Sequence, residues 1–300
     1  MINNGISPND HVGIPDDDRL VDLHIHSCAS DGTDTPAEIV QKCVEQKIAV
    51  AALTDHDTVS GIEEFMNTST ETSFERIPGV EISTRLYDLE LHMVGLFIDP
   101  ESESLKRNLE KLRSGRLERN YKIIQKLQMA GYQISEDDVY HFSAGESIGR
   151  PHIAQALIKK GYFNNVPEVF AHCLKKGAKF YVTRYHLNPQ ESIKMIHEAG
   201  GLAIWAHPLH GAKGERAYLR KIIQKLRYQD LDGIEAYYPS FTPQQQELAL
   251  KTAEEFHLLC SGGSDYHGCN RVNTQLGTGY GSLRIPLSVV DKMKQRLASR

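Results

Sequence analysis

Two histidines stand two residues apart at His24 and His26, and Asp265 and His267 repeat that spacing near the other end of the chain. Side chains alternate between the faces of a β-strand, so each pair points to one side. Paired imidazoles, or an imidazole with a carboxylate, are ordinary ligands for Zn, Mn or Fe. A single His-x-His is more often two hydrogen-bonded core histidines. Two such pairs, each closing an apolar run, favour a shared metal site. Asp55-His56-Asp57, Glu81, His207 and Glu235 also close apolar runs, whereas His92 falls near the start of one. A cation cluster can activate water against a phosphate ester with no protein nucleophile. That agrees with what is missing: a G-x-S-x-G elbow, a Walker A loop and a Cys-His pair in a supporting context.

Such side chains need a scaffold that gathers strand ends. Leu20 to Ile25 reads as a short strand running into His26, Pro36 opens a helix to about Lys47, and Ile48 to Leu53 is the next buried strand. A helix from about Ser60, a strand ending in Gly79-Val80-Glu81 and a strand from Glu90 to Ile98 continue the alternation. Leu202 to Ala206, Gly233 to Tyr237 and Leu258 to Ser261 resume it later. Near-continuously apolar strands separated by helices predict an α/β fold, a parallel barrel of about seven β/α units whose mouth collects the strand ends. Between them, residues 99–188 carry long charged helical stretches such as Ser104 to Ala130, and only a short strand at Phe180-Tyr181-Val182. The expected organisation is therefore a barrel domain over residues 19–98 and 189–300 with an inserted, mostly helical lobe. Residues 1–18, rich in Asn, Asp, Gly and Pro, are expected to form a loose tail, and Gly277-x-Gly279-x-Gly281 a turn.

The chain has 300 residues, 40% of them apolar, enough to bury one large core. No run approaches the roughly 18 apolar residues of a membrane helix. Five scattered cysteines and a net charge of −5 lead to the expectation of a cytoplasmic protein with reduced thiols, no membrane partner and no extended duplex nucleic acid.

Asp22-Leu23-His24-Ile25-His26-Ser27, Asp31-Gly32-Thr33 and Leu53-Thr54-Asp55-His56-Asp57 resemble the first two motifs of the PHP (polymerase and histidinol phosphatase) family. Pro78-Gly79-Val80-Glu81, Ala206-His207-Pro208 and Gly263-Ser264-Asp265-Tyr266-His267 resemble the remaining ones, in order. The resemblance implies a distorted (β/α)7 barrel holding two or three divalent ions (Mn, Zn or Fe). By position His24, His26, Glu81 and Asp265 would hold one metal, Glu81, His92 and His207 a second, and Asp31, His56 and His267 a third, with Glu81 bridging the first two. Some members place His where this chain has Asp31, which makes the third site harder and favours Mn or Fe over Zn.

Gly149-Arg150-Pro151-His152-Ile153-Ala154 is similar to a segment of the stand-alone PHP phosphoesterases that act on nucleotides. It implies that Arg150 grips phosphate and that His152 bonds an oxygen or protonates the leaving group; the alternative for Arg150 is a surface ion pair. Asp55 and Asp57 flank His56 and could orient it or shuttle a proton, though Asp57 could equally cap a helix. Lys175, Lys176, Lys179 and Arg184 would suit a second phosphate or a short nucleic-acid backbone, or form a solvated face. Tyr237 and Tyr238 could stack on a base or pack the barrel rim. The expected activity is hydrolysis of a nucleotide phosphate monoester, with a 3′,5′-bisphosphate or the end of a short oligonucleotide as candidates. A histidinol-phosphatase-like enzyme and a non-catalytic PHP regulatory or binding module are the alternatives.

Overall fold

The computed structural model describes residues 19–142, 145–209 and 216–300, so the expected tail lies outside the described residues. Strands β1 (Leu20–Ile25), β2 (Ile48–Leu53), β3 (Glu75–Leu86), β4 (Leu89–Leu96), β5 (Leu202–Trp205), β6 (Gly233–Tyr237) and β7 (Leu259–Gly262) form one sheet in chain order. β1, β2 and β3 are mutually parallel, as are β5, β6 and β7. The chain after β7 returns to β1, where the Asp265 N–H donates to the His24 carbonyl and the His26 N–H to the Tyr266 carbonyl, both at 2.9 Å. The architecture is α/β with a mostly parallel sheet.

The expectation of a wholly parallel sheet is corrected at β4, which runs antiparallel to both neighbours. β3 does not stop at Glu81 but continues to Leu86, turns through Tyr87 at φ 54° and returns with Leu86 opposite Leu89. A two-residue connection can join only antiparallel strands. The start of β4 therefore lies at the end of the sheet where the parallel strands finish. That is why His92, near a strand start, reaches the same place as the strand-end residues.

Helices α1 (Pro36–Glu45), α2 (Ile62–Asn67), α3 (Glu103–Met129), α4 (Glu136–Tyr140), α5 (Arg150–Lys159), α6 (Val166–Val169), α7 (Pro189–Glu198), α8 (Arg216–Arg227), α9 (Pro243–Glu255) and α10 (Ser288–Ala298) complete the chain. Thr35, Asn188 and Thr242 start α1, α7 and α9 with reciprocal capping bonds to Glu38, Glu191 and Gln245, each followed by Pro in the first turn. α3 crosses between two cores. Its Leu105, Leu109 and Leu112 pack with Ile82 and Met93 of the sheet, while Ile123, Ile124 and Leu127 pack with Val139, Ile153 and Leu157. Phe180-Tyr181-Val182 forms no strand; Phe180 is buried in that second cluster with Val182 against it, so its apolar character serves the lobe's core.

Asp232, just before β6, ties the other end of the sheet together. It is buried and accepts from the Ala203 N–H at 2.8 Å, meets His197 Nε2 at 2.8 Å and pairs with Arg300. Burial alone would raise its carboxyl, but these partners hold it below the ordinary carboxylate value. A depressed folded pKa gives stability that is present above the unfolded pKa and lost as pH falls through the folded one. Asp232→Asn should cost about 1–3 kcal/mol at pH 7 in urea denaturation. The gap to wild type should narrow below about pH 4; a gap constant from pH 7 to pH 3 would trace the loss to packing instead.

Candidate metal centre

Glu81 sits within β3, 1% exposed, with imidazoles on both oxygens. Its Oε2 lies 3.2 Å from His24 Nε2, 3.2 Å from His26 Nε2 and 3.0 Å from His56 Nδ1. Its Oε1 lies 2.8 Å from His92 Nδ1 and 3.0 Å from His207 Nε2. Asp265 Oδ1 approaches His26 Nε2 at 3.4 Å and His24 Nε2 at 3.7 Å, and Asp31 Oδ1 approaches His267 Nε2 at 3.3 Å. All nine residues expected as ligands thus converge on one cup. Their potential ligand atoms fall within 4.8 Å of one another in three sets: His24, His26 and Glu81; His56, Glu81 and His92; and His26, Asp31, His56 and His267. The grouping differs from the expected one in detail, because His56 reaches Glu81 and His26 reaches the Asp31 group.

The donor set fits divalent cations. Among the described residues, Nε2 of His24, both ring nitrogens of His26 and Nδ1 of His56 are buried without a hydrogen-bond partner, an unfavourable state unless they serve as ligands. His24 Nδ1 meets Glu235 Oε1 at 2.9 Å and His267 Nδ1 meets the Asp265 carbonyl at 2.9 Å. Both bonds place the proton on Nδ1 and turn the Nε2 lone pair into the cup. Burial pushes His56 down to about 4 despite Glu81 and Asp31, which keeps its imidazole in the neutral form that metals accept as a ligand. Burial also acts against His26, yet Asp265 and Glu81 raise it to about 9. Buried carboxylates this dense call for positive charge, as protons or as cations.

The surrounding groups hold the side chains of the cup in place. Tyr238 donates its hydroxyl to Asp265 Oδ2 at 2.6 Å and Arg271 pairs with the same oxygen, so that Oδ1 is left to face the histidines. Glu235 Oε2 also accepts the His207 N–H at 2.6 Å. Asp57, His207 and Asp265 have φ of 55°, 34° and 53°, left-handed conformations that cost energy in non-glycine residues and cluster at functional sites.

Several expectations about individual residues change. Asp55 does not contact His56 through its carboxylate, which instead accepts from the Ser27 N–H at 2.8 Å and the hydroxyls of Ser27 at 2.6 Å and Ser30 at 2.5 Å. Asp57 caps no helix, since α2 begins after Gly61. It accepts from Arg116 Nε at 2.6 Å, Arg184 Nη1 at 3.0 Å and the Ser83 N–H at 2.8 Å, and these hold its carboxyl well below the ordinary range against burial. Tyr238 is buried and committed to Asp265, so it offers no face to a base. Tyr237 is half-buried and packs against the sheet core, the duller alternative. Lys179 is exposed, with its ammonium over the Phe180 ring. Arg150 makes no ion pair among the described residues; its Nη1 donates to the Leu174 carbonyl at 3.2 Å and its guanidinium lies over Phe170 and Tyr181. His152 is buried and accepts the Gly149 N–H on Nδ1 at 2.9 Å.

Glu235, Arg271, Arg116 and Arg119 were not among the expected site residues. Glu235 was visible only as the end of an apolar run. Arg116 and Arg119 left a faint signal: they interrupt the apolar stripe of α3 formed by Leu109, Leu112, Ile123 and Leu127.

An imidazole and carboxylate cup at the mouth of a β/α sheet defines a metal-dependent hydrolase. The chain belongs to the PHP domain family, whose model matches residues 22–267. It is 36% identical over 250 residues to a 5′-3′ exoribonuclease of Haemophilus influenzae, covering 83% of this chain and 90% of that one. It is 32% identical over 248 residues to a 3′,5′-nucleoside bisphosphate phosphatase of Chromobacterium violaceum, covering 82% and 87%. The structure of an amidohydrolase from Chromobacterium violaceum, with bound sulfate and no metal, superposes with a TM-score of 0.83 at 28% identity, covering 92% of this chain and 96% of that one. The class is therefore that of metal-dependent phosphoesterases.

Gly263 governs how closely the last strand approaches the first. A Cβ there would stand 2.3 Å from His24 Cβ and 2.4 Å from its nitrogen. Gly263→Ala must push β1 away from the cup. We expect a loss of about 1–3 kcal/mol in thermal unfolding together with reduced metal content on elemental analysis. A variant as stable and as well loaded as wild type would show that β1 can yield without moving His24.

Proposed function

We propose that the protein hydrolyses a phosphate monoester of a nucleotide, such as a nucleoside 3′,5′-bisphosphate or the phosphorylated end of a short oligonucleotide. The observation that carries this is Glu81, one buried carboxylate with five imidazoles divided between its two oxygens. The bisphosphate phosphatase and exoribonuclease relatives support the nucleotide class.

In this reading His24, His26, Asp31, His56, Glu81, His92, His207, Asp265 and His267 hold two or three divalent ions, and residues 99–188 form the substrate lobe. Asp31 is a hard donor and favours Mn or Fe over Zn in its group. Bound there, such ions would supply a water acidified towards neutral pH and positive charge for the phosphoryl oxygens. The chain's own side chains do the rest. Glu235 orients His24, and Tyr238 with Arg271 orients Asp265. His152 accepts a backbone N–H on Nδ1, which leaves its neutral ring protonated on Nε2. That tautomer is the one able to donate to a phosphoryl or leaving-group oxygen, and Asp31 is near enough for its charge to act on the ring. Arg150 and Arg184 would bind substrate from the lobe, while exposed Lys179 would at most attract it.

Asp265→Asn tests the reading. It removes an anionic ligand while preserving shape, so we expect a folded protein by circular dichroism with fewer bound ions. Hydrolysis should fall by at least about a hundredfold, the scale on which electrostatic groups of an active site act. The substrates are a nucleoside 3′,5′-bisphosphate, histidinol phosphate and short 5′-phosphorylated RNA, each with Mn and with Zn. Full metal content and normal turnover would remove Asp265 from the site. Preference for histidinol phosphate would redirect the substrate class.

A further inference from the structure

Outside the cup and the lobe, α8 carries only basic charge: Arg216, Arg220, Lys221, Lys225 and Arg227, with no acidic residue between them. Its apolar face is buried through Leu219, Ile222, Ile223 and Leu226, which leaves the charges to the outer side. Other helices balance such charges one turn away, as Arg113 with Glu110 and Lys122 with Glu118 on α3, Lys194 with Glu198 on α7 and Lys251 with Glu247 on α9. On α8 the same spacing joins Arg216 to Arg220 and Lys221 to Lys225, so that like charges repel. Among the described residues Arg220 pairs with Glu255, and the other four meet no carboxylate. In a chain of net charge −5 this positive face is a local feature.

Two aromatic rings border this face. Tyr228 directly follows α8 and is 92% exposed, and Tyr87 is 78% exposed with Lys225 Nζ 4.4 Å from its ring centre. Tyr87 occupies the turn between β3 and β4 at φ 54°, a left-handed conformation that Gly or Asn adopts freely and that costs a bulky residue energy. It is thus held in a strained place with most of its surface open to a partner. Lys176 joins the same turn by donating to the Asp88 carbonyl at 2.9 Å. The surface is tied to the cup through the chain: the hairpin turned at Tyr87 carries Glu81 and His92, and α8 is the helix that follows His207.

We infer that the outer face of α8, with Tyr87 and Tyr228, holds the body of a single-stranded oligonucleotide whose end enters the cup. Charge complementarity favours a polyanion, since repeated phosphates answer the ammonium and guanidinium groups that lack a carboxylate. Exposed rings beside those charges favour a strand with unpaired bases over a duplex, because every base offers a face to stack and a duplex keeps its bases stacked on each other. The binding surface rests on α8 and the two tyrosines; its use as an extended substrate site rests on the phosphoesterase reading.

The first test measures fluorescence anisotropy of a labelled, 5′-phosphorylated single-stranded RNA with the whole chain in EDTA, beside the same strand annealed to its complement. Wild type should bind the single strand more tightly than the duplex, and less tightly as salt rises. The combined variant Arg216→Gln, Lys221→Gln, Arg227→Gln should bind at least about tenfold more weakly, with the slope of log K against log salt shallower by about 2. Tyr228→Ala should weaken binding about fivefold or more with little change of slope. Failure of wild type to bind the single strand, equal binding by the combined variant, equal binding of the duplex, or binding of phosphatidylserine vesicles without RNA would overturn the surface. The second test uses the metal-loaded enzyme, which also serves should the metal-free form unfold. The combined variant should lower kcat/KM for the RNA by about the factor lost in binding and leave that for a nucleoside 3′,5′-bisphosphate unchanged. An equal effect on both substrates would overturn the extended site. If wild type hydrolyses neither substrate while RNA binding still depends on α8, the phosphoesterase reading fails and the binding surface stands.

Discussion

A carboxylate sealed inside a protein is tolerated only when its charge is answered from every side, and Glu81 sets that demand for the whole molecule. Five imidazoles answer it, two from the end of β1, one each from β4 and the segments after β2 and β5. Glu81 is also fixed by its backbone. Its N–H donates to the Asp55 carbonyl at 3.1 Å, its carbonyl accepts the Asp57 N–H at 2.9 Å, and it pairs with Val94 across β4. A strand end could not provide that bracing on both edges. The hairpin that carries β3 past Glu81 and returns His92 on β4 is thus the structural condition for the cup.

The lobe is joined to this centre through charge as well as packing. Asp57 follows His56 directly, and its carboxylate is held by Arg116 and Arg184, both from the stretch expected to be a separate insert. α3 packs against the sheet with its first turns and against the lobe core with its last. A shift of the lobe would therefore alter the surroundings of His56. The contacts of Asp57 and the packing of α3 thus run across the boundary expected between barrel and lobe.

The convergence of the cup's side chains was legible in the sequence because strand geometry is local: a spacing of two residues, or a polar residue closing an apolar run, already states which way a side chain points. The lengths of β2 and β6 were legible for the same reason. The antiparallel course of β4 was hidden because an apolar run carries no direction, although the two residues between Leu86 and Leu89 held a hairpin signal. Asp57 stayed open between a role beside His56 and a helix cap, and Tyr238 between stacking on a base and packing the rim, because their partners, Arg116 and Asp265, are distant in the chain. Arg116 and Arg119 looked like ordinary charges of an exposed helix. Only the register of the apolar stripe, with arginines where leucines would stand, marked them as buried.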